Sequence, residues 1–199
     1  LTARTATSAA FRRAVAWVAV LNLAYFGIEF AVALAIRSVA LFADSVDFLE
    51  DTSLNLLILL ALGWSVAARA RIGMALAALL LVPGLVTLWT AWSKLGEPLA
   101  PAPLPLTLTG LGALAVNLTC AVMLVRFRAH SGSLSKAAFL SARNDALANV
   151  AIIAAGLVTA FAWYSPWPDL IVGLAIAAIN LDAARDVWEA AWEERRAGS

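Results

Sequence analysis

Asp44, Asp47 and Asp51 punctuate SVALFADSVDFLEDTSLNLLILLALGW, and Asp145 interrupts SARNDALANVAIIAAGLVTAF, two stretches that otherwise read as membrane-spanning. An ionised side chain at the bilayer centre costs about 2.5–3.5 kcal/mol even on the lenient insertion scale, so such residues mark ion or proton pathways by default. On a helix turning 100° per residue, Asp44, Asp47, Asp51 and Asn55 fall within about 80° of one another and form one polar stripe, with Glu50 pointing away from it. In the other stretch Ser141, Asp145 and Ala148 share a face that Asn144 and Asn149 flank. Arg143 lies about 160–200° from Ser141 and Asp145, too far round to pair with Asp145 on its own helix. Two aspartates spaced four apart on one helix, set against a hydroxyl and an aspartate spaced four apart on another, bring three carboxylates and a weak oxygen donor to one point. Such a set holds a divalent cation with water completing the shell. Asp47, Asp51, Asp145, Ser141 and Asn144 are the expected metal ligands.

A second group stands behind them. Asn22 and Glu29, seven apart on the first span, share a face; Asn117 and Asn180 lie in the fourth and sixth spans. Hydrogen bonding between helices is the expected role of the asparagines, while Glu29 is expected to carry a proton or to support the ligands. Asp44, nearest the outer end of its helix, is expected to act as a helix cap, or else to join Glu29, Asn22, Asn117 and Asn149 beside the ligands or along a proton path. Asp51-x-x-x-Asn55 and Asp145-x-x-x-Asn149 repeat one pattern, as in transporters that build a midplane site from related helices.

These residues need a scaffold of helices in lipid. The 199-residue chain is 63% hydrophobic and 14% charged, with a mean hydropathy of +0.87, more apolar surface than one soluble core can bury. With roughly 20 apolar residues per crossing, charged and Pro/Gly-rich breaks leave six spans: 14–36, 39–64, 72–92, 104–125, 137–163 and 170–187. They are too long, and alternate too little, for barrel strands. The expectation is an all-α integral membrane protein with one six-helix domain over residues 1–199. Arg4, Arg12, Arg13, Arg69, Arg71, Arg126, Arg128, Lys136, Arg195 and Arg196 fall on one side, Arg37 and Lys94 on the other. That asymmetry places both termini in the cytoplasm. Trp89, Trp92, Trp163 and Trp167 suit the interfacial belt. A net charge of +1 with no basic block excludes a nucleic-acid partner. The lone Cys120 excludes a disulfide framework and a thiolate cluster, and is expected to serve packing. The chain opens on Leu1 rather than Met, and its first apolar run is too long for a removable signal.

At the polar residues the chain resembles the cation diffusion facilitator family. LNLAYFGIEFAVALAIRSVALFADSVDFLED is similar to the family's first two helices: an Asn and a Glu, then Ser-x-Ala-Leu-x-Ala-Asp, then a metal pair that lands on Asp47 and Asp51. The family's second pair, commonly His-x-x-x-Asp, lands on Ser141 and Asp145, and an Asn of its fourth helix lands on Asn117. PDLIVGLAIAAINLDAARDVWEAA resembles its sixth helix. The resemblance implies a six-helix, proton-coupled exporter of Zn, Mn, Fe, Co, Ni or Cd, with the metal as transported substrate, no cofactor and no enzymatic activity. Alternating access about a site between the second and fifth helices is the implied mechanism, and a bacterial inner (plasma) membrane the expected location. Two features depart from the pattern. Ser141 replaces the usual imidazole, which favours harder cations, and the loop from Arg126 to Lys136 offers only His130, expected to be a solvated residue. The chain also ends about a dozen residues after the sixth span, which is expected of a compact form without the cytoplasmic domain, whose homodimer, if formed, would pair through transmembrane helices. The alternative is a non-transporting membrane sensor or subunit derived from such a transporter. A Mg²⁺-dependent phosphoryl-transfer enzyme is disfavoured, because no Gly-rich phosphate loop or basic cluster accompanies the acids.

Overall fold

The computed structural model describes residues 2–60, 85, 87–94, 96, 99–125, 127, 133–179, 181 and 185, with the backbone alone at 2–8, 60 and 133–143. Its secondary structure there is entirely helical: α1 (Thr2–Ile36), α2 (Val39–Leu60), α3 (87–94), α4 (Pro103–Val125), α5 (Ser133–Phe161) and α6 (Trp167–Ile179). The helices overrun some expected spans. α1 starts well before Ala14, and α6 begins at Trp167 rather than Leu170, where Ser165 Oγ accepts the Trp167 N–H at 3.3 Å. Most of the expected third span, together with His130, Asn180 and the side chains of Ser141 and Arg143, lies outside the described residues.

α1 (from Ala9), α4 and α5 (from Asn144) are long and apolar enough to cross a membrane. α2 has comparable length, 22 residues, but carries Asp44, Asp47, Glu50 and Asp51 and must therefore be shielded by its neighbours. It is. α2 packs extensively on α1 and α4 on α5, while α1–α4 and α2–α5 contacts close the bundle. Phe161, Val122 and Leu104 face outward, as do the belt residues Trp89, Trp92, Trp163 and Trp167, whereas Asn22, Glu29, Asp44, Asp51, Asn117 and Asn149 are all buried. Polar inside and apolar outside is the arrangement a bilayer demands.

Small residues set the closest approaches. A Cβ on Gly173 of α6 would stand 2.7 Å from both the Ala40 nitrogen and the Val39 carbonyl carbon. Both are backbone atoms at the start of α2, so no side chain can swing away. Gly173→Ala is expected to destabilise the bundle by about 1–3 kcal/mol, as overpacking does, and to lower its thermal midpoint in detergent. An unchanged midpoint would show that α6 can slide freely along α2.

Candidate metal site and the polar core around it

The turn that delivers α2 into the core is built first. α1 ends with Arg37 in the left-handed region (φ 54°), and the Ser38 N–H returns to the Ala33 carbonyl at 3.0 Å, the 6→1 bond of a Schellman motif. Ser38 then caps α2, its Oγ accepting the Leu41 N–H at 3.1 Å. Across the bundle, Asp169 in the first turn of α6 meets the same end. Its carboxylate accepts Ser38 Oγ–H at 2.5 Å, Val39 N–H at 2.9 Å and Ala40 N–H at 3.2 Å. Lys94 Nζ of α3 donates to Asp169 at 2.8 Å and to the Arg37 carbonyl at 2.8 Å. Asp169 is wholly buried and Lys94 nearly so. Neither was expected from the sequence, where Lys94 read only as a charge on the side opposite the termini and Asp169 only as part of the stretch resembling the sixth helix. The usable signals were an acid in the first turn of an apolar helix and a serine immediately before another.

Seven residues of α2, about 10 Å of helix, separate two polar layers. In the one nearer Leu60, the Asp51 carboxyl of α2 and the Asp145 carboxyl of α5 face each other within hydrogen-bonding reach. Asn22 of α1 donates its Nδ2–H to Asp51 Oδ2 at 3.2 Å, and the Cys120 thiol of α4 donates to Asn22 Oδ1 at 3.5 Å. Asn55 closes on its own helix, donating to the Asp51 carbonyl at 2.7 Å. Four helices thus converge on Asp51. Asp47, one turn along, is partly exposed and lies within electrostatic reach of both Asp51 and Asp145. Asn144 is exposed, on the flank of this pair. Among the described residues no three His, Cys, Asp or Glu side chains form a ready-made cage for a metal; the carboxyls that meet across helices are a pair.

The layer nearer Val39 holds the rest. Asn117 of α4 donates to Asn149 Oδ1 at 3.0 Å, and Asn149 of α5 donates to Asp44 Oδ2 at 2.6 Å. Glu29 of α1 and Asp44 lie within hydrogen-bonding reach of each other. The capping role expected for Asp44 is therefore corrected. It is fully buried and one turn inside the helix, where it holds α5 while Ser38 and Asp169 do the capping. Glu50, expected to point away, is only partly exposed and lies within electrostatic reach of Asp47 and Asp145, because it stands only about 60° round the helix from Asp47. Asn149, placed on a flank by the wheel, is wholly buried.

Chemically, the Asp51–Asp145 layer offers oxygen donors from two helices in a shielded position, which suits a hard or borderline dication. A family model described as the cation efflux transmembrane domain matches residues 15–191. No match was found among curated proteins.

Proposed function

This chain belongs to the cation efflux family of membrane transporters, and from that premise we propose that it exchanges a divalent metal cation for protons by alternating access at Asp51 and Asp145. That it is a membrane-embedded cation transporter follows from the family; the metal, the site and the coupling are our reading. The observation that carries it is the approach of those two carboxyls across the α2–α5 contact, with Asn22 orienting one of them. Two shielded acids that face each other, Asp51 buried and Asp145 partly exposed, repel unless a cation or a proton lies between them, so the pair is poised for one or the other. Asp47 supplies a third carboxylate by a small rearrangement of α2, and Ser141, Asn144 or water completes the shell. An oxygen-only set favours Mn²⁺, Fe²⁺ or Mg²⁺ more than an imidazole-containing site does. Helices α2 and α5 carry the ligands, so their relative movement would switch the site from the cytoplasm to the opposite side, in the orientation that puts both termini in the cytoplasm.

Metal and proton compete for the same lone pairs, and ligands must be deprotonated to bind. The sign follows. Apparent metal affinity rises as the pH on the binding side rises, by about tenfold per pH unit for each proton displaced, and an acidic far side drives release. In proteoliposomes, counterflow of Mn²⁺, Fe²⁺, Co²⁺, Ni²⁺, Zn²⁺ or Cd²⁺ should accelerate with such a gradient. Failure of every metal in that panel to move in a pH-dependent way would sink the reading, and binding without flux would instead indicate a sensor.

A further inference from the structure

The carboxyls of Glu29 and Asp44 lie outside the proposed metal site. Glu29 is wholly buried, and among the described residues neither of its oxygens receives a hydrogen bond; Asp44 Oδ1 is likewise buried without one. Among the described residues the sole donor to the pair is Asn149, on Asp44 Oδ2. Two acids approaching this closely become bonding partners only when a proton sits between them, since two ionised carboxylates offer acceptors alone. The groups around them supply no alternative. On α1 the nearest titratable neighbour is Tyr25, whose hydroxyl is spent on the Thr109 carbonyl at 2.6 Å. From α2 comes Asp47 and from α5 Asp145, both acids; α4 contributes the neutral Asn117 through Asn149. No Lys, Arg or His bonds to either carboxyl among the described residues. One proton satisfies both acids.

We propose that Glu29 and Asp44 form a dedicated proton site, sharing a single proton one polar layer away from the Asp51–Asp145 pair. The Asn117–Asn149–Asp44 chain fixes its geometry: Asn149 commits its amide N–H to Asp44 Oδ2, leaving Oδ1 to accept the proton from Glu29 or return it. The inference rests on the exchange reading for its role in transport, but the site itself does not. Proton and metal then occupy different carboxyls of one helix, α2, and are linked through its movement as well as through competition for the same oxygens.

Infrared difference spectroscopy of the metal-free protein in detergent tests the site without any transport. Asp51→Asn/Asp145→Asn protein, whose metal-site pair can no longer hold a proton, should still show the carbonyl stretch of a buried protonated carboxyl, shifted in deuterium oxide. On that background Glu29→Gln and Asp44→Asn should each remove the band. A band that survives Glu29→Gln in protein with wild-type circular dichroism overturns the proposal; should Glu29→Gln fold poorly, Glu29→Asp must shift the band, and an unshifted band is equally fatal. In proteoliposomes loaded against Mn²⁺ or Zn²⁺, Glu29→Gln should retain cation flux and lose one proton's worth of its pH dependence, about tenfold per pH unit. An unaltered pH profile counts against the proposal. Absence of flux in wild type would defeat the transport reading and leave the infrared result to decide the proton site.

Discussion

Asp51→Asn is expected to lower divalent-cation flux by roughly 100-fold or more while leaving the bundle folded. The carboxylate it removes is the point where four helices meet: it faces Asp145, is held by Asn22 at 3.2 Å, and is reached through Asn22 by Cys120. An amide of the same shape can still accept from Asn22, so packing survives. The charge does not. At an effective dielectric near 20, a unit charge about 4 Å from a cation is worth about 4 kcal/mol per unit of cation charge, more than enough for a 100-fold loss after hydration compensates part of it. Asp145→Asn should do the same, and the double variant should be little worse than either single one, because ligands of one ion act as a unit. Asn22→Ala, which only orients Asp51, should cost about 10- to 100-fold in affinity. A further consequence separates ligand from structural acid: without metal, Asp51→Asn should melt no lower than wild type, since it relieves repulsion between two shielded carboxyls. Isothermal titration with Mn²⁺ and Zn²⁺, together with flux, checks the set. Normal transport by either single variant would remove these residues from the cation's path.

How far this core could be read in advance depended on the range of each interaction. Asp44, Asp47 and Asp51 share a stripe because the period of a helix is fixed by its own backbone, and burying four acids in lipid forces that stripe inward. The partnership of α2 with α5 is read from the matching four-residue spacing of their oxygen donors. The repeated Asp-x-x-x-Asn pattern promised a symmetry that side-chain geometry breaks: Asn55 turns back on its own helix, whereas Asn149 crosses to Asp44. Wheels count angle and ignore depth. Asp44 is assigned to a cap from its position near the end of its helix, yet the cap comes from Ser38 and from Asp169, some 130 positions later in the chain. Such a contact depends on how α6 is laid against α2, which local pattern does not encode, and the clue lies in Gly173, whose missing Cβ lets the two backbones touch.

Asp169→Ala is expected to be the most destabilising single change in the described structure, by about 3–5 kcal/mol, the range for breaking a buried ion pair from one side, with loss of a helix cap adding about 1 kcal/mol. The argument turns on an asymmetry. Asp169 accepts from Ser38 Oγ, Val39 N and Ala40 N as well as from Lys94, and it sits at the positive end of α2, where a negative charge is favoured. Remove Lys94 and the carboxylate keeps three donors; remove Asp169 and the buried ammonium keeps only the Arg37 carbonyl among its described partners. Lys94→Met should therefore cost distinctly less than Asp169→Ala, and adding Lys94→Met to Asp169→Ala should restore part of the loss, since no uncompensated charge then remains buried. Asp169→Asn should fall between, retaining an acceptor for the α2 amides without the charge. Reversible unfolding in mixed micelles followed by circular dichroism ranks the four variants. Equal losses for Lys94→Met and Asp169→Ala would mean that the ion pair, rather than the capped helix end, holds α3, α6 and the start of α2 together, and the account of Asp169 as the anchor of α2 would have to be abandoned.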